Sequence, residues 1–159
     1  MRKKIVIIIV LAILLIIQLF KIDTTPTETD INMDYLITTQ APEEIKNIME
    51  KSCYDCHSNK TSYPWYSKTA PISWMINNHI KEGRQHINFS EWGNYAQERQ
   101  KHTQKECIEE IVKNKMPLKS YTMIHTDSKL SDESKETIIQ WFKLQLSGDT
   151  ATSNDLFVD

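Results

Sequence analysis

The chain has 159 residues, a formal net charge of −2 and a composition that is 40% hydrophobic and 25% charged. That is the length of one domain, and its Lys and Glu residues are interspersed without a basic stripe, which sets nucleic acid aside as a partner. Three glycines and no glycine-rich loop after a strand-like run leave nucleotide chemistry without support. Much of the apolar content lies in residues 1–22, so the core left to the remainder is modest and an apolar cofactor would enlarge it.

Arg2, Lys3 and Lys4 precede an apolar run from Ile5 to Phe20, interrupted by Gln18 and closed by Lys21 and Asp23. The run falls between the roughly 7–15 apolar residues of a cleavable signal and the roughly 17–25 of a membrane span. No Ala-x-Ala-like site follows it and no cysteine lies near enough for lipid attachment, so residues 1–22 are expected to be an uncleaved transmembrane anchor. The positive flank should stay cytoplasmic, which makes the protein single-pass in a bacterial inner membrane with the rest in the periplasm or its equivalent. Residues 23–40, polar and carrying Pro26, read as a flexible spacer.

The folded domain is expected over residues 41–147. PEEIKNIMEKSC reads as a helix, with proline and two acidic residues in its first turn and Ile45, Ile48 and Met49 on one face. Residues 58–68, with Pro64, read as an aromatic-bearing loop. Pro71 opens a second helix through Gly83, with Ile72, Met75, Ile76, His79 and Ile80 at helical spacing and Gly83 suited to a stop. After the less regular INFSEWGNY, Thr103 and Glu106 form a capping box for a third helix with Cys107, Ile108, Ile111 and Val112 buried, ending at Met116-Pro117. The last helix starts near Ser131-Asp132-Glu133, carries Ile138, Ile139, Trp141, Phe142 and Leu146, and ends at Ser147-Gly148. Residues 148–159 are expected to be a disordered tail. No segment has the period-two alternation of a strand, so the fold class is all-α.

Residues 53–57 are CYDCH. In C-x-x-C-H the two thiols add across haem vinyl groups as thioethers, and the adjacent histidine ligates iron from the proximal face. Cys53, Cys56 and His57 are therefore the candidate cofactor-binding residues for one covalent haem c. Three other readings compete. A Cys53–Cys56 disulfide does not use His57. A zinc site with Cys107 or His79 lacks a second closely spaced ligand pair. A thioredoxin-like dithiol expects a preceding strand.

For the distal iron position the leading candidate is Met116, in a Met-Pro loop between two helices, followed by an amphipathic helix that begins at Leu130-Ser131-Asp132; this arrangement resembles small cytochromes c. His79, on the second helix, is the alternative, and His125 or an open position stays in play. A lone histidine on an apolar stripe is more often a hydrogen-bonded core group than a ligand. His86 and His102 read as solvated, and Cys107 as a buried free thiol. Trp65, Trp74, Trp92 and Trp141 are candidates for a haem pocket or for plain core.

The stretches CYDCHSNKTSYPWYSKTAPISWMINNHIKEGR, INFSEW, NKMP and SYTMIHTDSKLSD resemble the small bacterial haem-binding domain proteins with a C-x-x-C-H motif. The likeness covers about two-thirds of the chain, and C-x-x-C-H together with PWYS and APISW is specific. It implies covalent haem, export and a cytochrome-like helical domain. Members often have a second proline after Met-Pro, where this chain has Leu118, and His-Pro where it has His125-Thr126.

Electron transfer to redox partner proteins is the expected function, since a haem with both axial positions filled exchanges electrons and binds no substrate. On this reading the protein is a carrier and not an enzyme. A redox or gas sensor, or a small peroxidase with a labile distal ligand, is the alternative. A maturation or interaction module with structural haem is the third possibility.

Overall fold

The computed structural model describes residues 2–148, and among these it is all-α, with no strand. Its helices are α1 (Arg2–Ile16), α2 (Tyr35–Thr38), α3 (Glu43–Ser52), α4 (Tyr54–His57), α5 (Ile72–His86), α6 (Gln97–Val112), α7 (Lys119–Thr122) and α8 (Asp132–Ser147), joined in places by short 3-10 turns.

The 15-residue α1 passes into a 3-10 turn at Ile17–Leu19, and its side chains are exposed along its whole length. No helix among the described residues is long and apolar enough to cross a membrane. The end of the apolar run is fixed to the domain. Gln18 Nε2 donates to the Ala70 carbonyl at 2.9 Å, and the Ala70 N–H donates back to Gln18 Oε1 at 2.9 Å. Trp74 Nε1 donates to the Phe20 carbonyl at 2.9 Å. The one polar interruption of the run is thus its docking point.

The expected spacer, 23–40, is corrected in its second half. Asp30 caps a 3-10 turn at Ile31–Met33, Asp34 caps α2, and Tyr35 and Leu36 are buried. Tyr35 meets Trp92 edge-on at 4.9 Å between ring centroids, Phe89 at 5.4 Å and Phe142 at 5.9 Å. A buried aromatic ring removes roughly 150–250 Å² from water and gains about 0.5–1.5 kcal/mol per ring pair beyond that, enough to order a short polar stretch around it. The folded unit therefore begins about ten residues before the expected boundary at 41, with the turn at Ile31.

Around this hub, α3 contributes Ile45 and Met49, α6 contributes Ile111, and α8 contributes Ile138, Trp141 and Phe142 to one core. Helix α8 packs on α6 and α3, and α5 packs on α4. The start of α8 is as the sequence predicts: Ser131 Oγ accepts from the Ser134 N–H at 3.0 Å, and Asp132 and Glu133 occupy the first turn. Gly148, at φ 75°, closes the helix in the left-handed conformation that glycine adopts without strain. Beyond Gly148 the expected disordered tail lies outside the described residues.

Three other boundaries differ from expectation. Helix α5 does not stop at Gly83 but runs on to His86, and Ile72 and Met75 at its start are exposed while Ile80 is buried. Helix α6 starts at Gln97, so Thr103 is no cap; its Oγ1 donates to the Arg99 carbonyl at 2.7 Å inside the helix. The same helix ends at Val112, before the proline is reached. Asn114, at φ 54°, turns the chain into the left-handed region, the Asn114 N–H donates to the Ile111 carbonyl at 3.0 Å, and the Lys115 N–H donates to the Glu110 carbonyl at 2.9 Å. That pair of bonds is a Schellman termination.

Candidate functional site

Helix α3 leads into the motif: the Cys53 N–H bonds the Met49 carbonyl at 2.8 Å, and the single turn α4 follows at once. Both residues between the cysteines are anchored. Tyr54 donates its hydroxyl proton to Asp34 Oδ1 at 2.8 Å. Asp34 is fully buried and also takes the Leu36 N–H at 3.0 Å and an ion pair with Lys60 at 2.9 Å. Asp55 accepts from the Ser62 N–H at 2.8 Å and from the Tyr121 hydroxyl at 2.6 Å. The x-x positions thus tie the motif to α2, to the following loop and to α7.

Cys53, Cys56 and His57 open onto one cleft of about 560 Å³, within the roughly 300–1,000 Å³ usual for cofactor sites. Its walls include Ile87, Phe89, Ile111, Leu118 and Phe142, which make it largely apolar. All three cysteines of the chain are free thiols. Burial pushes the Cys53 thiol up to about 12, with the neighbouring Cys56 adding to it, and pushes Cys56 up to about 11, with Asp55 adding. Among the described residues no three His, Cys, Asp or Glu side chains are grouped to hold a metal ion.

His57 Nδ1 lies 3.0 Å from the Gly83 carbonyl. A carbonyl only accepts, so Nδ1 carries the proton and Nε2 keeps its lone pair. Burial holds the His57 pKa below the ordinary histidine value, which favours the neutral imidazole that ligates metals. Gly83 permits the contact: a Cβ there would sit 2.7 Å from the Cys56 carbonyl oxygen. The glycine read as a helix stop instead lets α5 approach the motif closely enough to orient His57. Arg84 reinforces that contact, donating from Nε to the Ser58 carbonyl at 2.8 Å.

Met116 and His79 both line the same cleft, Met116 from the turn after α6 and His79 from α5. Met116 is half-buried, and its N–H reaches the Glu110 carbonyl at 3.3 Å. His125 is engaged elsewhere, stacked on Tyr121 at 4.4 Å with its Nε2 2.5 Å from the Tyr66 hydroxyl. His86 is exposed at the rim of the cleft, and exposed His102 pairs with Glu106 at 3.3 Å. Cys107 lines the cleft too, its thiol pushed up to about 12 by burial. Of the tryptophans, Trp92 and Trp141 are core, while Trp65 and Trp74 are exposed. Sequence reasoning gave no site role to Gly83, Phe89, Tyr121 or Asp34; the first three lie in the quoted stretches, and Asp34 carried no signal.

A helical domain that brings two free cysteines and a neutral, oriented imidazole to one largely apolar cleft fits a haem. The chain belongs to the haem-binding domain family, whose model matches residues 12–144. No curated protein and no solved structure matches it.

Proposed function

We propose that this protein carries one covalent haem c, bound as thioethers to Cys53 and Cys56 with His57 Nε2 as proximal ligand, and that it is an electron carrier anchored in a bacterial inner membrane with its domain on the extracytoplasmic side. The observation that carries the reading is the His57 Nδ1 bond to the Gly83 carbonyl, which leaves Nε2 free in the cleft that Cys53 and Cys56 also line. When bound, haem supplies a reversible one-electron couple. The residues around it exclude water through Phe89, Ile87 and Phe142, hold the imidazole in one tautomer through Gly83, and keep the thiols protonated by burial.

Met116 is the proposed distal ligand. It stands on the turn after α6, outside any helix, whereas His79 is carried on α5, whose position is set by Gly83 and Arg84 against the motif. His79 shares the cleft, which favours a bis-histidine cytochrome as the second reading. Support for the anchor comes from the exposed apolar rod of α1 and its 3-10 extension.

The test is a haem-stained denaturing gel of protein from a host with a haem-attachment system. One haem should stay with the chain, and Cys53→Ala with Cys56→Ala should abolish the stain. Complete loss of haem from the wild-type chain on acid-acetone extraction would overturn the covalent reading.

A further inference from the structure

The geometry points to a second membrane contact: the face formed by Trp65 and the first turn of α5 rests in the headgroup layer of the bilayer, so the haem domain is seated on the lipid surface instead of hanging from a tether. The inference rests on the proposal that α1 enters a membrane, and it adds where the domain then lies.

Three hydrogen bonds, two between Gln18 and Ala70 and one from Trp74 to Phe20, fix the end of the apolar run to the residues that open α5. Whatever α1 enters must begin beside those residues. The exposed apolar side chains of α5 lie at this end: Ile72 is 42% exposed, Trp74 39% and Met75 52%. Further along the helix the exposed positions are all polar: Asn78, Lys81, Glu82, Gln85 and His86. Trp65, 83% exposed, stands on the 3-10 turn Trp65–Lys68 that packs against α5.

Both exposed tryptophans of the domain therefore fall within five residues of Ala70, while Trp92 and Trp141 are buried in the core. Tryptophan is the residue enriched at membrane–water boundaries, where one part of its ring system is apolar and its N–H is wet. Charge agrees. From Cys56 to Lys81 there is no Asp or Glu, whereas Lys68 and Lys81 are present, besides Lys60, which pairs with Asp34, in a chain of net charge −2. Such a segment suits anionic headgroups, with the lysine stems lying along apolar surface and their ammonium groups in water.

The experiment uses the full-length haem-loaded protein in vesicles of phosphatidylethanolamine and phosphatidylglycerol. These vesicles carry a phospholipid with a photoactivatable diazirine near its glycerol. After illumination and trypsin digestion, lipid adducts are mapped by mass spectrometry. Peptides 5–21, 61–68 and 69–81 report on the anchor, on Trp65 and on the first turn of α5. Adducts are expected on all three. Ile72→Glu with Met75→Glu, which leaves the cleft untouched, should lower labelling of 69–81 at least fivefold and leave that of 5–21 unchanged. Labelling of 5–21 alone overturns the seated face while sparing the anchor, and is also what a protein partner on this face would give. Labelling of none of the three overturns both. Labelling of 69–81 that ignores the double substitution overturns the seated face.

Discussion

The two sides of the cleft are built differently. On the proximal side, Cys53, Cys56 and His57 sit in a single turn whose intervening residues are bonded to Asp34 and Tyr121, and whose histidine is bonded to Gly83. On the distal side, Met116 stands on a half-buried turn held by the Schellman bonds after α6. The first side is braced by side chains from distant segments; the second is held by backbone bonds to the end of one helix. On the proposed reading, the bracing suits a site where two thiols and an imidazole must meet one ring together.

Gly83→Ala should break this contrast most severely. A methyl group 2.7 Å from the Cys56 carbonyl forces α5 and α4 apart, at a cost of about 3 kcal/mol by analogy with overpacked cores, and draws the Gly83 carbonyl away from His57. Chemical denaturation and haem yield per chain should both fall. Met116→Ala should do the reverse, keeping covalent haem while opening the reduced iron to carbon monoxide, with His79→Ala leaving carbon monoxide excluded. The opposite pattern in these two variants would assign the distal position to His79.

Asp34→Ala leaves the Tyr54 hydroxyl without its acceptor and removes the cap of α2. Lys60 is half-exposed and regains water, so the expected loss is about 2 kcal/mol, from an unsatisfied buried hydroxyl and a lost cap. It should appear as a lower denaturation midpoint with an unchanged haem spectrum. Tyr121→Phe is the mildest, losing the hydrogen bond to Asp55 and a long one from Ser128 Oγ at 3.5 Å, about 1 kcal/mol, because Asp55 keeps the Ser62 N–H. A Tyr121→Phe effect larger than that of Asp34→Ala would show that α7, and not α2, is the main brace of the motif.

The residues that meet in the cleft could be read from sequence where their signals are local. C-x-x-C-H is contiguous, Met116-Pro117 lies between helical patterns, and Ser131 caps its helix within three residues. What was missed depends on distant partners. Tyr35-Leu36 is too short to show a period and sits in a polar stretch, so its place at the centre of the core is decided by Phe89, Trp92 and Phe142, none of them near in sequence. The first two turns of α6, QERQKH, carry no apolar stripe, which moved the expected start to the Thr103–Glu106 signal further on. Gly83 looked like a terminator because a glycine chosen for close approach and one chosen for a left-handed turn are the same letter.

The bonds made by Tyr54 and Asp55 also bear on portability. In this chain the two residues between the cysteines are not interchangeable spacers, since each is one half of a pair whose other half lies on a separate segment, 20 residues upstream for Tyr54 and 66 residues downstream for Asp55. Grafting CYDCH alone onto another helical scaffold would carry the attachment chemistry without its bracing. A faithful transplant would have to bring Asp34 and Tyr121 with it, and Gly83 to receive the histidine.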